Sequence, residues 1–149
     1  MQDTRINILQ FIIGLFTFLL GSIIYVLHRV YQTTYYDISF GIFYMHCGNY
    51  VPDFIHPFSF ILLTCSFISN SLINIIMISS GWLIFDLLME FGQKHAESII
   101  IFIFKYFEMN PFHNILINYF SNGRYDPFDM IAISLGSLLG FLIAYLTKI

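Results

Sequence analysis

Residues 8–27 form a predominantly apolar stretch of twenty positions without a charge, bounded by Arg5 and by His28-Arg29. A helix rises 1.5 Å per residue, so about 20 residues cross a hydrocarbon core of roughly 30 Å. The stretch therefore predicts a membrane span. His28, Arg29, Val30 and Tyr31 supply no small-residue cleavage signal, which favours a retained helix over a leader peptide. Residues 57–91 hold only two charges, Asp86 and Glu90, in 35 positions. One straight helix of that length would overshoot the bilayer, and Ser69-Asn70-Ser71 offers a break, giving spans at 57–69 and 72–91. A fourth apolar run, 128–146, ends just before Lys148.

The intervening segments read as wet. Residues 29–56 carry Arg29, Asp37, His46, Asn49 and Asp53 among Tyr31, Tyr35, Tyr36, Tyr44 and Tyr50. Tyrosine favours the membrane–water boundary, so this segment predicts a surface loop with a short helix near 38–45. Residues 94–127 contain Lys94, Glu97, Lys105, Glu108, His113 and Arg124, with an apolar patch too short to span; an interfacial helix is expected near 97–107. The expected fold is all-α: a polytopic transmembrane helical bundle of about four spans, with residues 1–149 forming a single membrane domain.

Composition agrees. Hydrophobic residues make up 58% of the chain and charged ones 10%, against about 25% charged in an ordinary soluble domain. So few charges cannot cover a water-soluble globule, which excludes a soluble enzyme or a disordered regulator. A net charge of −3 argues against a nucleic-acid partner. Cys47 and Cys65 are expected to be unpaired small residues.

Successive spans alternate in direction, so an even count gathers the polar span boundaries at one membrane face. Asp53 and His56 open the second span, Glu90 and Gln93 close the third, and Arg124 and Asp129 open the fourth. Asp86, Glu90 and Gln93 fall at i, i+4 and i+7, on one helix face. A carboxylate inside hydrocarbon is costly unless protonated, paired or turned toward a wet cavity. Arg124 is the expected partner of Glu90 or Asp129 through bidentate hydrogen bonds, and Glu90 is expected within reach of Arg124 or His56. His56 is either a proton carrier or a helix cap before Pro57, and the cluster is either a structural ion-pair network or a functional pocket.

Ala132, Gly136, Gly140 and Ala144 recur every four residues, the pattern that lets a second backbone approach closely, within the bundle or across a homodimer. No nucleotide loop, G-x-S-x-G elbow, H-E-x-x-H or Cys-x-x-Cys occurs, so no cofactor is expected. His46 and His113 lack metal-ligand spacing with any Cys, Asp or Glu, so no metal is expected either.

Three segments resemble the VanZ-like membrane protein family: Val51-Pro52-Asp53-Phe54-Ile55-His56 with Phe58–Leu63, Leu87–Gln93 with its E-x-x-Q ending, and Gly123–Asp129 running into Leu135-Gly136-Ser137-Leu138-Leu139-Gly140. The resemblance covers roughly residues 50–146, with Ile133 where the family pattern carries Asn. It implies a small multi-pass protein of the bacterial cell membrane, working in the cell envelope; some members are associated with resistance to teicoplanin. The functional expectation is a non-enzymatic membrane factor whose polar pocket binds a lipid or glycan head group. An acid–base enzyme acting on a lipid-linked substrate and an assembly subunit, partnered by a membrane protein or by its own copies, are the alternatives. Arg29, Lys94, Lys105 and Arg124 outnumber Arg5 and Lys148, which points the polar face to the cytoplasm.

Overall fold

The computed structural model describes the backbone of residues 6–34, 38–68, 71–106 and 111–148, and the side chains of that set apart from those of residues 29–34, 38–47, 49 and 111. These residues form α1 (Ile8–Thr34), α2 (Ile38–Phe67), α3 (Leu72–Lys94), α4 (Ala96–Tyr106), α5 (Pro111–Asn122) and α6 (Pro127–Leu146). The fold is an all-α helical bundle. Three helices are long and apolar enough to cross a membrane: α1 over Ile8–His28, α3 and α6.

Helix α2 is the hub. Gly14 of α1 lies against Ser59 and Leu63, Gly21 against Ile55, and His28 against Gly48, so α1 and α2 run antiparallel. Trp82 of α3 donates to Thr64 Oγ1 at 3.1 Å, while His56 meets Asp86 one layer away, so α3 is also antiparallel to α2. Helix α6 runs parallel to α2: Tyr50 packs on Phe128, Phe54 on Gly136, and Phe58 and Ile61 on Gly140. The small-residue stripe of α6 is thus consumed inside the bundle. Gly136 shows why. A Cβ there would collide with the carbonyl oxygen of Phe54, so only glycine admits this backbone approach.

Burial is inverted relative to a water-soluble protein. Asn7, Gln10, Ser59, Ser66, Asp86, Glu90 and Ser137 are buried, whereas Ile8, Leu19, Ile73, Met77, Leu88, Ile131 and Leu138 are exposed. Only 17% of the apolar window of α1 or α3 is buried within the protein. Large side chains outside and small or polar ones inside is the distribution expected when the outer solvent is hydrocarbon. A compact apolar core of Phe58, Ile61, Leu62, Cys65, Ile75 and Ala144 fills the middle, with Cys65 a free thiol.

One end of the bundle is latched by amides. Asn7 Nδ2 donates to the carbonyl of Thr147 at 2.8 Å, and Gln10 Nε2 donates to the Ala144 carbonyl at 3.0 Å and to Thr147 Oγ1 at 3.1 Å. The backbone N–H of Asn7 reaches the Ser66 carbonyl at 2.9 Å. Three helix ends are tied where α6 would otherwise expose carbonyls. Gln10→Ala is expected to cost about 1–2 kcal/mol, the upper range for polar contacts between membrane helices. Unfolding of the purified protein in bicelles checks it, and an unchanged midpoint would dismiss the latch.

Two sequence expectations are corrected here. Residues 29–56 are not a surface loop with a short helix: α1 continues to Thr34, and α2 starts at Ile38 and continues through Pro52 and Pro57. The expected span at 57–69 is only the second half of this 30-residue helix. Asp53 and His56 resemble loop residues in a linear reading, yet they turn toward a cavity. Prolines are tolerated there because neighbouring helices shelter the carbonyls they leave unpaired. Residues 94–127 hold a second helix, α5, besides α4, the counterpart of the interfacial helix expected near 97–107. Phe120 of α5 packs on Gly92, and His113 stacks edge-on against Phe104 with centroids 5.0 Å apart, making α4 and α5 a hairpin at the end of α3. Residues 69 and 70 of the expected break, residue 107 and Arg5 lie outside the described set, as does the Cys47 side chain; Ser71 caps α3 by accepting from the Asn74 N–H at 3.2 Å.

Candidate functional site

Antiparallel packing brings the late turns of α1 and α3 level with the middle of α2. There the helices separate around a cavity of about 440 Å³. Its walls are Phe18, Ser22, Tyr25 and Val26 of α1, Pro52, Asp53 and His56 of α2, and Phe85, Asp86, Met89 and Glu90 of α3, closed by Tyr119 and Ile133. Ser22 leaves room because its side chain is small, whereas Gly21 lets Ile55 of α2 pack against the α1 backbone.

His56 Nδ1 lies 3.1 Å from Asp86 Oδ2. Asp86 is buried, while the His56 side chain is 44% exposed. Nε2 makes no hydrogen bond to any described residue. The His56 ring also stacks beside Phe60, with centroids 4.6 Å apart, and lies edge-on to Trp82 at 6.2 Å. The carboxylate fixes the ring's orientation, and the aromatic neighbours fix its plane. The helix-cap reading of His56 is therefore displaced: the residue is inside α2 and its side chain faces α3.

Glu90 has a different task. Its Oε1 accepts from the Asp126 backbone N–H at 3.0 Å, joining the end of α3 to the start of α6. Asp126 caps α6 by accepting from the Phe128 N–H at 2.9 Å, with Pro127 in the first turn, and its Oδ2 accepts from the Tyr50 hydroxyl at 3.2 Å. The expected contact of Glu90 with Arg124 or His56 is absent. Arg124 is exposed and makes no ion pair among the described residues; it sits in the 123–126 turn, where water solvates a guanidinium more cheaply than a buried partner can.

Asp53 and Asp129 lie within hydrogen-bonding reach of each other, linking the cavity wall of α2 to the first turn of α6. Gln93 does not line the cavity, but its Nε2 donates to the Tyr119 hydroxyl at 2.7 Å and so holds that ring in the wall. Partial burial pushes the Tyr119 phenol above its ordinary range. Of the seven expected pocket residues, Asp53, His56, Asp86 and Glu90 line the cavity; Asp129 and Gln93 stand behind it, and Arg124 is outside. Phe18, Ser22, Tyr25, Tyr119 and Asp126 are additions. Asp126-Pro127 carries a helix-start signature that marks the cap, whereas nothing in the spacing of Tyr119 signals its position.

Chemically, the cavity combines apolar and aromatic walls with three carboxyl groups, one imidazole and several hydroxyls. Among the described side chains no lysine or arginine lines it. Lys94, the nearest cation in sequence to Glu90, lies over the rings of Phe91 and Tyr125 at 5.9 and 5.4 Å. No family model, curated protein or solved structure matches the chain.

Proposed function

We propose that this is a multi-pass membrane protein whose cavity receives the polar head of an amphiphile, most simply a lipid or glycolipid. In this reading all four long helices cross the bilayer. Helix α2 joins α1, α3 and α6 as a fourth span; its hydropathy is lowered by Pro52, Asp53, His56 and Pro57 within the bundle. The observation that carries the reading is the composition of one wall. A space of about 440 Å³ is lined both by span residues such as Phe18, Val26 and Phe85 and by Asp53, His56, Asp86 and Glu90. Ligand sites are mostly apolar clefts with a few converging polar groups, and here the polar groups converge beside a lipid-facing surface.

The three segments resembling the VanZ-like family support placing the chain beside that family, in a cell-envelope membrane. The excess of lysine and arginine at the cavity end supports a cytoplasmic orientation for it.

Ser22 is exposed and lines the cavity, so Ser22→Trp fills the space without touching the core. In nanodiscs containing a lipid with a photoreactive head group, wild-type protein is expected to label on Tyr25 and Met89. The variant should label on the order of tenfold less, about 1.4 kcal/mol of binding, with an unchanged unfolding temperature. Equal labelling of both would refute head-group entry.

The His56–Asp86 contact favours a second reading, in which Nε2 takes a proton from a lipid-linked substrate. Asp86→Asn keeps the hydrogen-bonding shape but removes the charge. Turnover lost with labelling intact would mark chemistry.

A further inference from the structure

The charge of the cavity goes further than its shape. Asp53, Asp86 and Glu90 line it, and Asp129 stands directly behind Asp53. Against these four carboxyl groups the described side chains supply one imidazole, His56, already committed to Asp86. Glu90 is held through Oε1 by a backbone N–H, which is a hydrogen bond and not a countercharge. Asp53 and Asp129 have only each other. Of the described cations, Arg124 is exposed, and Lys94 lies over two aromatic rings outside the cavity. Carboxylates beside hydrocarbon require a countercharge or a proton. Among the described residues no group of three or more His, Cys, Asp or Glu is placed to hold a metal ion, so the geometry does not favour a bound metal as that countercharge.

The walls name an alternative. Phe18, Tyr25, Phe85 and Tyr119 share the cavity wall with the carboxyl groups, and ring faces attract organic cations once water is excluded. Among the described side chains a phosphate or carboxylate would meet three acids and no lysine or arginine. Resting on the head-group reading above, we infer that the cavity selects ligands bearing an ammonium group and rejects anionic ones, with Asp53 and Glu90 as the charge partners and the four rings as the cage.

Trp82 is the chain's single tryptophan, and its ring lies 6.2 Å from that of His56 and 4.7 Å from that of Phe60, so its fluorescence reports on the cavity wall. The full-length protein in nanodiscs is titrated with decylammonium, decanoate and decyl glucoside, which share one tail, and with ethanolamine, which has none. Decylammonium is expected to bind at least tenfold more tightly than the glucoside, with no saturable response to decanoate. Asp53→Asn is expected to weaken decylammonium by about tenfold, with the helical circular-dichroism spectrum retained to show that the variant is folded. Ethanolamine binding as tightly as decylammonium would assign the site to a soluble amine; a requirement for the tail would assign it to a lipid. Glucoside binding as tightly as ammonium would overturn the charge selection while sparing the head-group reading. No response to any tailed probe would overturn both.

Discussion

Gly136→Ala is expected to destabilise the protein by about 3 kcal/mol, the upper range for overpacking, because the added methyl meets backbone and not a movable side chain. The clash is with the carbonyl oxygen of Phe54, and the carbon behind it lies 2.9 Å from the added Cβ. Relief requires α2 and α6 to separate, which loosens the packing of Phe58 and Ile61 on Gly140 as well. Gly81 is the control. It too lies within a helix, but a Cβ there meets nothing within 4 Å. Gly81→Ala should therefore gain up to about 1 kcal/mol from helix propensity alone. Reversible unfolding of both variants in the same bicelles measures the contrast. Similar midpoints would mean that the two helices do not approach as closely as described.

The second large effect belongs to Glu90. Removing its side chain leaves the Asp126 N–H without its acceptor at the point where α3, α6 and Tyr50 converge. A hydrogen bond to a charged group contributes about 1.5–3 kcal/mol, and Glu90→Ala should lose an amount in that range. Glu90→Gln keeps an oxygen in the same place and should recover most of it. The pair of variants separates two roles that the cluster left open. If Gln restores stability but not ammonium binding, Glu90 serves both as a structural tie and as a charge partner. If Gln is as unstable as Ala, the carboxylate's charge and not its hydrogen bond holds the helix ends together.

The contrast between Arg124 and Asp126 shows how far linear reading reaches. Both lie in the same turn, and opposite charge made Arg124 the natural partner for Glu90. The contact went instead to a backbone N–H two residues later, because the start of α6 presents unsatisfied donors to any acid nearby. Charge complementarity is visible in a sequence; the direction in which a turn points its donors is not. His56 shows the complementary case. Its neighbours Pro57 and Asp53 suggested a helix boundary, whereas its partner is Asp86, thirty residues away.

Hydropathy and composition by themselves determined that the chain is an all-helical bundle with helices long and apolar enough to cross a membrane. Those properties depend on sums over many residues, so local errors cancel. Only the tertiary structure decided that α2 continues through two prolines, that the glycine stripe of α6 faces α2, that Tyr119 closes the cavity and that three acids converge on it. Each of these depends on which face a helix turns toward its neighbours. A polar residue facing solvent and one facing an internal cavity have the same hydropathy, and packing alone distinguishes them.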